Sequence, residues 1–236
     1  MEYTGTTIVI TGGASGIGRG IAHAFATTGA DVVVFDVATP AEGGRFFSVD
    51  VRREMDIRGA AAALERVDVL VNSAGVYWQG PFGAISTATL DTVVDVNLKG
   101  SYLVTKYLLP HLTTSRGCII NIASGLGMAA DPQAAAYCAT KAGVIMLTRC
   151  LALDFKTHGV RVNAILPGHI DTPMLRDAIS SDQDLAAYIR LNPMRRIGQP
   201  ADVAALALFL ASDAARYING GIYAVDGGES ITSAYS

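Results

Sequence analysis

No stretch of this chain approaches the ~18 consecutive apolar residues of a membrane-crossing helix. Its opening, MEYTGTT, carries an acid but neither a positive n-region nor an apolar h-region, so no export or spanning segment is expected. Positive charge is scarce as well. The 18 Lys and Arg stand against 21 Asp and Glu, and a net charge of −3 offers no basic face to nucleic acid or to an anionic membrane. The three cysteines, Cys118, Cys138 and Cys150, are odd in number and lack metal-type clustering. Two lie in apolar runs, as reduced thiols commonly do, which points to a cytoplasmic compartment and to no metal site.

Half the residues are hydrophobic, only 17% are charged and 25 are Gly. That balance suits a compact α/β protein with a sheet covered on both faces. Length allows one domain spanning 1–236. Apolar runs at 6–11, 31–35, 46–49, 67–72, 118–122, 160–166 and 222–225 read as strands. Helical patterns fall at 16–29, closed by Gly29, and at 54–66, 88–115, 133–157, 184–190 and 201–212. The alternation predicts a doubly wound, Rossmann-like and mostly parallel seven-stranded sheet. Residues 167–183 show no clear period, and a lid is expected around 167–190.

TGGASGIG, Thr11–Gly18, lies between the first strand and the first helix. Gly12 can take backbone angles closed to other residues, Gly16 lets backbone approach a pyrophosphate, and Gly18 permits close helix packing. The first helical N–H groups would receive the anion. A turn made only for packing is the competing reading; a P-loop is excluded because no Gly-Lys-Ser/Thr follows. Asp36 ends the second strand, where an acid can accept bonds from ribose hydroxyls and repel a 2′-phosphate. Val37 and Ala38 bring no Arg, which favours NAD over NADP. Asp50 and Val51, ending the third strand, are placed to lie against adenine.

Composition predicts well under one chance occurrence of Y-x-x-x-K, yet two are present, Tyr102/Lys106 and Tyr137/Lys141. The i, i+4 spacing puts phenol and ammonium on one helix face, where the cation would depress the phenol's pKa. Ligands in open α/β sheets bind outside the carboxyl ends of the strands. Tyr137 starts the helix after CIINI, near that edge, whereas Tyr102 lies inside a long helix and suits packing or a subunit contact. Ser124 closes the CIINIAS segment, where its hydroxyl can share a substrate oxygen with Tyr137. The chain lacks G-x-S-x-G, which disfavours a serine hydrolase.

Together these residues resemble the short-chain dehydrogenase/reductase family, from Thr11 to Gly228. The matching motifs are T-G-x-x-x-G-x-G (Thr11–Gly18), NSAG (Asn72–Gly75), Asn97, Ser124, Tyr137–Lys141, Pro167-Gly168 with Thr172, and VDGG (225–228). Ala123 replaces a Ser often seen before the catalytic one, and the segment between Asp50 and Val67 is short for the family. The resemblance implies hydride exchange between nicotinamide and a carbinol carbon, with Tyr137 as general acid/base and Ser124 orienting the substrate oxygen. Lys141 would bind the nicotinamide ribose and lower the Tyr137 pKa, and Asn97 would hold a water that continues a proton relay. Asn72, Ala74 and Gly75 would shape the cofactor site together with Ser15, Ile17, Pro167 and Gly168, while Ile170 and Thr172 would hold the carboxamide. The family also implies a homo-oligomer, commonly a tetramer, built on the helical regions 88–115 and 133–157.

Substrate contacts are expected from Leu126 to Met128, Gln133, His169 and Met174, and from Tyr77-Trp78-Gln79. Their mixed character suggests a polyol, sugar or alicyclic alcohol, or the corresponding ketone. Three alternatives stay open: an NADPH-dependent 3-oxoacyl-type ketoreductase, a non-catalytic dinucleotide sensor, and a methyltransferase with a Gly-rich turn. Asp36 opposes the first, and the Ser124/Tyr137/Lys141/Asn97 set opposes the other two. The tail ESITSAYS is placed to cover a site or to meet a neighbouring subunit.

Overall fold

The computed structural model describes residues 2–41, 44–179 and 181–231. Its strands are β1 Thr7–Thr11, β2 Asp31–Asp36, β3 Arg45–Ser48, β4 Val69–Asn72, β5 Cys118–Ile122, β6 Arg161–Pro167 and β7 Ile222–Val225. They form one sheet in the order β3-β2-β1-β4-β5-β6-β7, and every pairing is parallel rather than mostly so. Parallel neighbours need long crossovers. These are supplied by α1 Gly16–Ala26, α2 Glu54–Ala62, α3 Thr87–Val94, α4 Ser101–Ser115, α5 Ala135–Asp154, α6 Pro173–Ala178, α7 Asp182–Leu191 and α8 Pro200–Ala211.

Alternate side chains of each strand enter opposite layers. Val9, Val33, Leu70 and Ile119 meet Ile57 of α2, Val104 and Leu108 of α4 and Leu151 of α5. Ile8, Ile10, Val71 and Ile120 meet Ile21 and Phe25 of α1 and Val203, Ala207 and Leu210 of α8. Burial on both faces explains why the central strands read as continuous apolar runs. By length and composition α5 is apolar enough to cross a membrane, but its buried residues pack inward, Val144 and Ile145 against Ala164 and Leu166 of β6.

The strand order reverses between β1 and β4, and register aligns the strand ends there: Thr11 faces Phe35 on one side and Asn72 on the other. Asn72 in turn pairs with Asn121 across β4 and β5. These carboxamides form a buried ladder: Asn72 Nδ2 donates to Thr105 Oγ1 (3.1 Å) and Asn121 Oδ1 (2.9 Å), and Asn121 Nδ2 donates to Thr148 Oγ1 (2.9 Å).

Several boundaries differ from the sequence reading. The first helix ends at Ala26, ahead of the left-handed Gly29, and the second stops at Ala62. The region 88–115 is α3 and α4 joined through a π-helical segment, Asp95–Gly100, that no simple period reveals. The aperiodic stretch 167–183 contains α6, started by Thr172, whose Oγ1 accepts the Leu175 N–H, with Pro173 in the first turn. Six residues are too few to show a hydrophobic period. Of the tail ESITSAYS, residues beyond Ile231 lie outside the described part.

Candidate active site

A cavity of about 620 Å³ lies along the carboxyl edge of the sheet. At one end is the glycine turn. Gly12 and Gly16 take φ of +68° and +53°, the left-handed region that glycine enters without strain. A Cβ on Gly12 would stand 2.8 Å from Ala74 Cα, and one on Gly18 would stand 2.1 Å from the Gly12 carbonyl oxygen. Gly18 therefore serves closure of the turn itself more than packing of the helix on the sheet. Ser15 precedes α1 without a side-chain capping bond, and Ser15, Gly16, Ile17 and Gly18 all line the cavity. The first-turn N–H groups thus face a space fit for an anion. Thr11 Oγ1 accepts the N–H groups of Ser73 and Ala74, both at 3.0 Å, tying β1 to the loop after β4.

Asp36 lines the next part of the cavity. Its carboxylate accepts the N–H of Ala14 (2.9 Å) and of Ala38 (3.0 Å), so the acid also braces the glycine turn. Asp50 and Val51 follow along the wall. Arg52 forks onto Asp50, with Nη2 at 2.6 Å from Oδ2, and this bond holds the Asp50 carboxyl below its usual range. Asn72 itself stays behind the wall in its ladder, where its Oδ1 lacks a hydrogen-bond partner, while Ala74 and Gly75 line the cavity.

Ser124, Tyr137 and Lys141 meet at the middle. Ser124 follows β5, and its Oγ accepts the Leu126 N–H at 3.1 Å. Tyr137, in the first turn of α5, hydrogen-bonds Ser124 and packs T-shaped with Tyr77 at 4.9 Å between centroids. Burial pushes the phenol up to about 12, although the Ser124 bond pulls the other way. Lys141 Nζ lies 5.6 Å from the Tyr137 ring centroid and donates to the Ile122 carbonyl at 2.9 Å. Burial lowers this ammonium to about 8. At both groups burial is the dominant influence, and it acts against the charged form of each.

Asn97 sits in the π-helical segment, 1% exposed. Its Nδ2 donates to the Val76 carbonyl (3.0 Å) and Thr140 Oγ1 (3.1 Å), and its Oδ1 accepts the Val76 N–H (2.8 Å). The side-chain carboxamide thus clamps the loop after β4 to α5. Pro167, Gly168, Ile170 and Thr172 all line the cavity, and a Cβ on Gly16 would stand 3.4 Å from Thr172. The second Y-x-x-x-K lies elsewhere: Tyr102 is exposed, and Lys106 pairs with Glu54 of α2 at 3.1 Å.

At the far end the lining includes Leu126, Tyr77, Gln79, His169 and Met174. Gln133 is not part of it: exposed, with φ of +65°, it offers its carbonyl to the Gly80 N–H. Trp78 and Met128 also fall outside the lining, Trp78 packing against Gly80. Lining residues that the sequence analysis did not single out include Asp131 and Tyr188, and Glu229 entered it only as the first residue of the tail. Glu229 had a usable signal, since it follows the last strand at the same sheet edge; Asp131 and Tyr188 had none.

A family profile described as enoyl-(acyl carrier protein) reductase matches residues 12–230. An L-fucose dehydrogenase of Bos taurus is 41% identical over 230 residues, covering 90% of this chain and 85% of its own. The ligand-free aldohexose dehydrogenase of Thermoplasma acidophilum superposes with a TM-score of 0.95 at 33% identity, covering 99% of this chain and 97% of that one. A 3-ketoacyl-(acyl-carrier-protein) reductase of Brucella melitensis, solved with NADH, gives 0.88 at 31%, covering 96% and 99%. With the parallel sheet, the glycine turn and the Ser124/Tyr137/Lys141 cluster, these likenesses establish that the chain belongs to the short-chain dehydrogenase/reductase family of oxidoreductases.

Proposed function

We propose that this chain is an NAD-dependent oxidoreductase that interconverts a secondary alcohol and its ketone, the alcohol being a sugar, polyol or alicyclic alcohol. The observation that carries the reading is one continuous cavity with the glycine turn and Asp36 at one end and Ser124, Tyr137 and Lys141 at its middle. The sugar dehydrogenases among the relatives favour a sugar within that range.

The cavity fits a dinucleotide: two left-handed glycines, an uncapped helix start and an acid braced by two backbone N–H groups stand in sequence along it. The N–H groups of α1 would hold the pyrophosphate, Asp36 the adenosine ribose, and Asp50 and Val51 the adenine. Lys141 would hold the second ribose, and Ile170 backbone and Thr172 hydroxyl the carboxamide. NAD supplies the hydride acceptor when bound. Ser124 would hold the substrate oxygen, and Tyr137 would exchange a proton with it as the hydride moves. Pushed up to about 12, the phenol is protonated at neutral pH, the form that donates during ketone reduction. Oxidation needs charge that favours the phenolate, and the Lys141 ammonium one helical turn away is the chain's own source of it.

The test is a panel of sugars, polyols, hydroxy acids and alicyclic alcohols followed by NADH absorbance. Tyr137→Phe should abolish turnover, with a loss of about 10³-fold or more, and leave NAD binding largely intact. Undiminished turnover in that variant would overturn the assignment.

A further inference from the structure

We propose that His169 and Glu229 form a recognition pair for an uncharged, polyhydroxylated substrate, and that Asp131 joins Glu229 in rejecting anions. This specificity rests on the dehydrogenase reading above. Glu229 follows β7, and its Oε2 lies against Gly168, where a Cβ would stand 2.8 Å away. That oxygen accepts the His169 backbone N–H (3.3 Å) and meets His169 Nδ1 at 2.8 Å. An ionised carboxylate only accepts, so Nδ1 carries the proton and, in the neutral ring, Nε2 is left as an acceptor. The imidazole also packs on Tyr188 of α7, with centroids 4.2 Å apart, which restrains its rotation.

The pair is held from a second direction. Asn192, just after α7, donates from Nδ2 to the Asp226 carbonyl (2.8 Å), and the Asp226 carboxylate accepts the N–H groups of Gly228 and Ser230, both at 2.9 Å. Residues after β6, α7 and β7 thus converge on one acceptor nitrogen, and the partner such a site selects is a hydroxyl donor.

Charge sharpens the selection. The charged groups lining the cavity are Asp36, Asp50, Arg52, Asp131, Lys141 and Glu229. Arg52 is forked onto Asp50 at the adenine side, and Lys141 donates to Ile122 beside Tyr137. Among the described residues, the lining beyond Lys141 contributes Asp131 and Glu229 and no Lys or Arg. An aldonate or a phosphate-bearing acyl-carrier chain would meet like charge there, whereas a neutral sugar or polyol meets only acceptors for its hydroxyls.

Calorimetric titration of the NADH-loaded protein with neutral sugars and polyols, and with matched aldonates, tests the idea beside turnover of the same compounds. A neutral ligand should bind at least about tenfold tighter than its aldonate. Glu229→Gln combined with Asp131→Asn, both close to isosteric, should shrink that ratio by about tenfold. His169→Phe should lower the preference for polyhydroxylated over mono-hydroxylated alcohols by about tenfold, through KM more than kcat. The proposal is overturned by a wild type that takes aldonates as well as neutral sugars, by ratios unmoved in both variants, or by no binding of any neutral sugar or polyol. Binding of neutral sugars without NAD reduction by any alcohol would instead overturn the dehydrogenase reading and leave the pair standing.

Discussion

Asp36 does two jobs with one carboxylate: bracing Ala14 fixes the glycine turn, and its place on the cavity wall sets the charge that a nucleotide's ribose would meet. Asp36→Ala should narrow the preference for NAD over NADP by about tenfold, read as the ratio of kcat/KM values, and should weaken NAD binding as well. A wild type faster with NADP would refute this role. Lys141 makes a different prediction. Its pKa of about 8 in the folded chain lies below the ordinary 10.5. Below about pH 8 both states hold the proton and the fold bears the cost of the buried ammonium. Between 8 and 10.5 the unfolded chain holds more protons, so stability rises with pH. Lys141→Met should therefore gain about 3 kcal/mol at pH 7, offset by about 1 kcal/mol for the lost bond to Ile122, while abolishing turnover. Thermal melts at pH 7 and 9.5 should show the gap to wild type closing at the higher pH. Asp36, Ser124, Tyr137 and Lys141 were legible in the sequence because each follows a strand end at a motif spacing. His169 was legible as a position but not as half of a pair, since Glu229 lies 60 residues on and long-range partners leave no period.

Whole elements were easiest to read where burial is two-sided. The runs at β1, β4, β5 and β6 are nearly or wholly buried, and no polar face dilutes their apolar signal. α6 has no buried residue to mark it, and the π-helical segment changes helical phase in mid-run, so both were hidden. The strand-to-helix turn is the least forgiving element. Gly18→Ala would drive a methyl into the Gly12 carbonyl, and we expect a loss of about 1–3 kcal/mol in denaturant unfolding together with loss of dinucleotide binding. An unchanged unfolding midpoint with intact binding would contradict this account of the turn.

On the scale of the whole molecule, α4 and α5 expose Tyr102, Met146 and Leu153 on the regions from which the family likeness implied assembly. We therefore expect sedimentation velocity to show a tetramer; a monomer across the working concentration range would remove the idea. The ladder of Asn72, Asn121, Thr105 and Thr148 acts at this scale too. Side chains of a strand alternate between faces, so a slip of one residue between β4 and β5 would carry the two carboxamides to opposite layers of hydrocarbon. Each amide stripped of its partner there costs about 1–3 kcal/mol. Asn72 Oδ1 already goes without a partner, so the ladder is a stability concession in the correct sheet and a much heavier penalty in the shifted one. The ladder thereby ties strand alignment to stability, since a near-miss sheet that misplaced the edge where Ser124 and Asp36 line up would strand these amides in hydrocarbon.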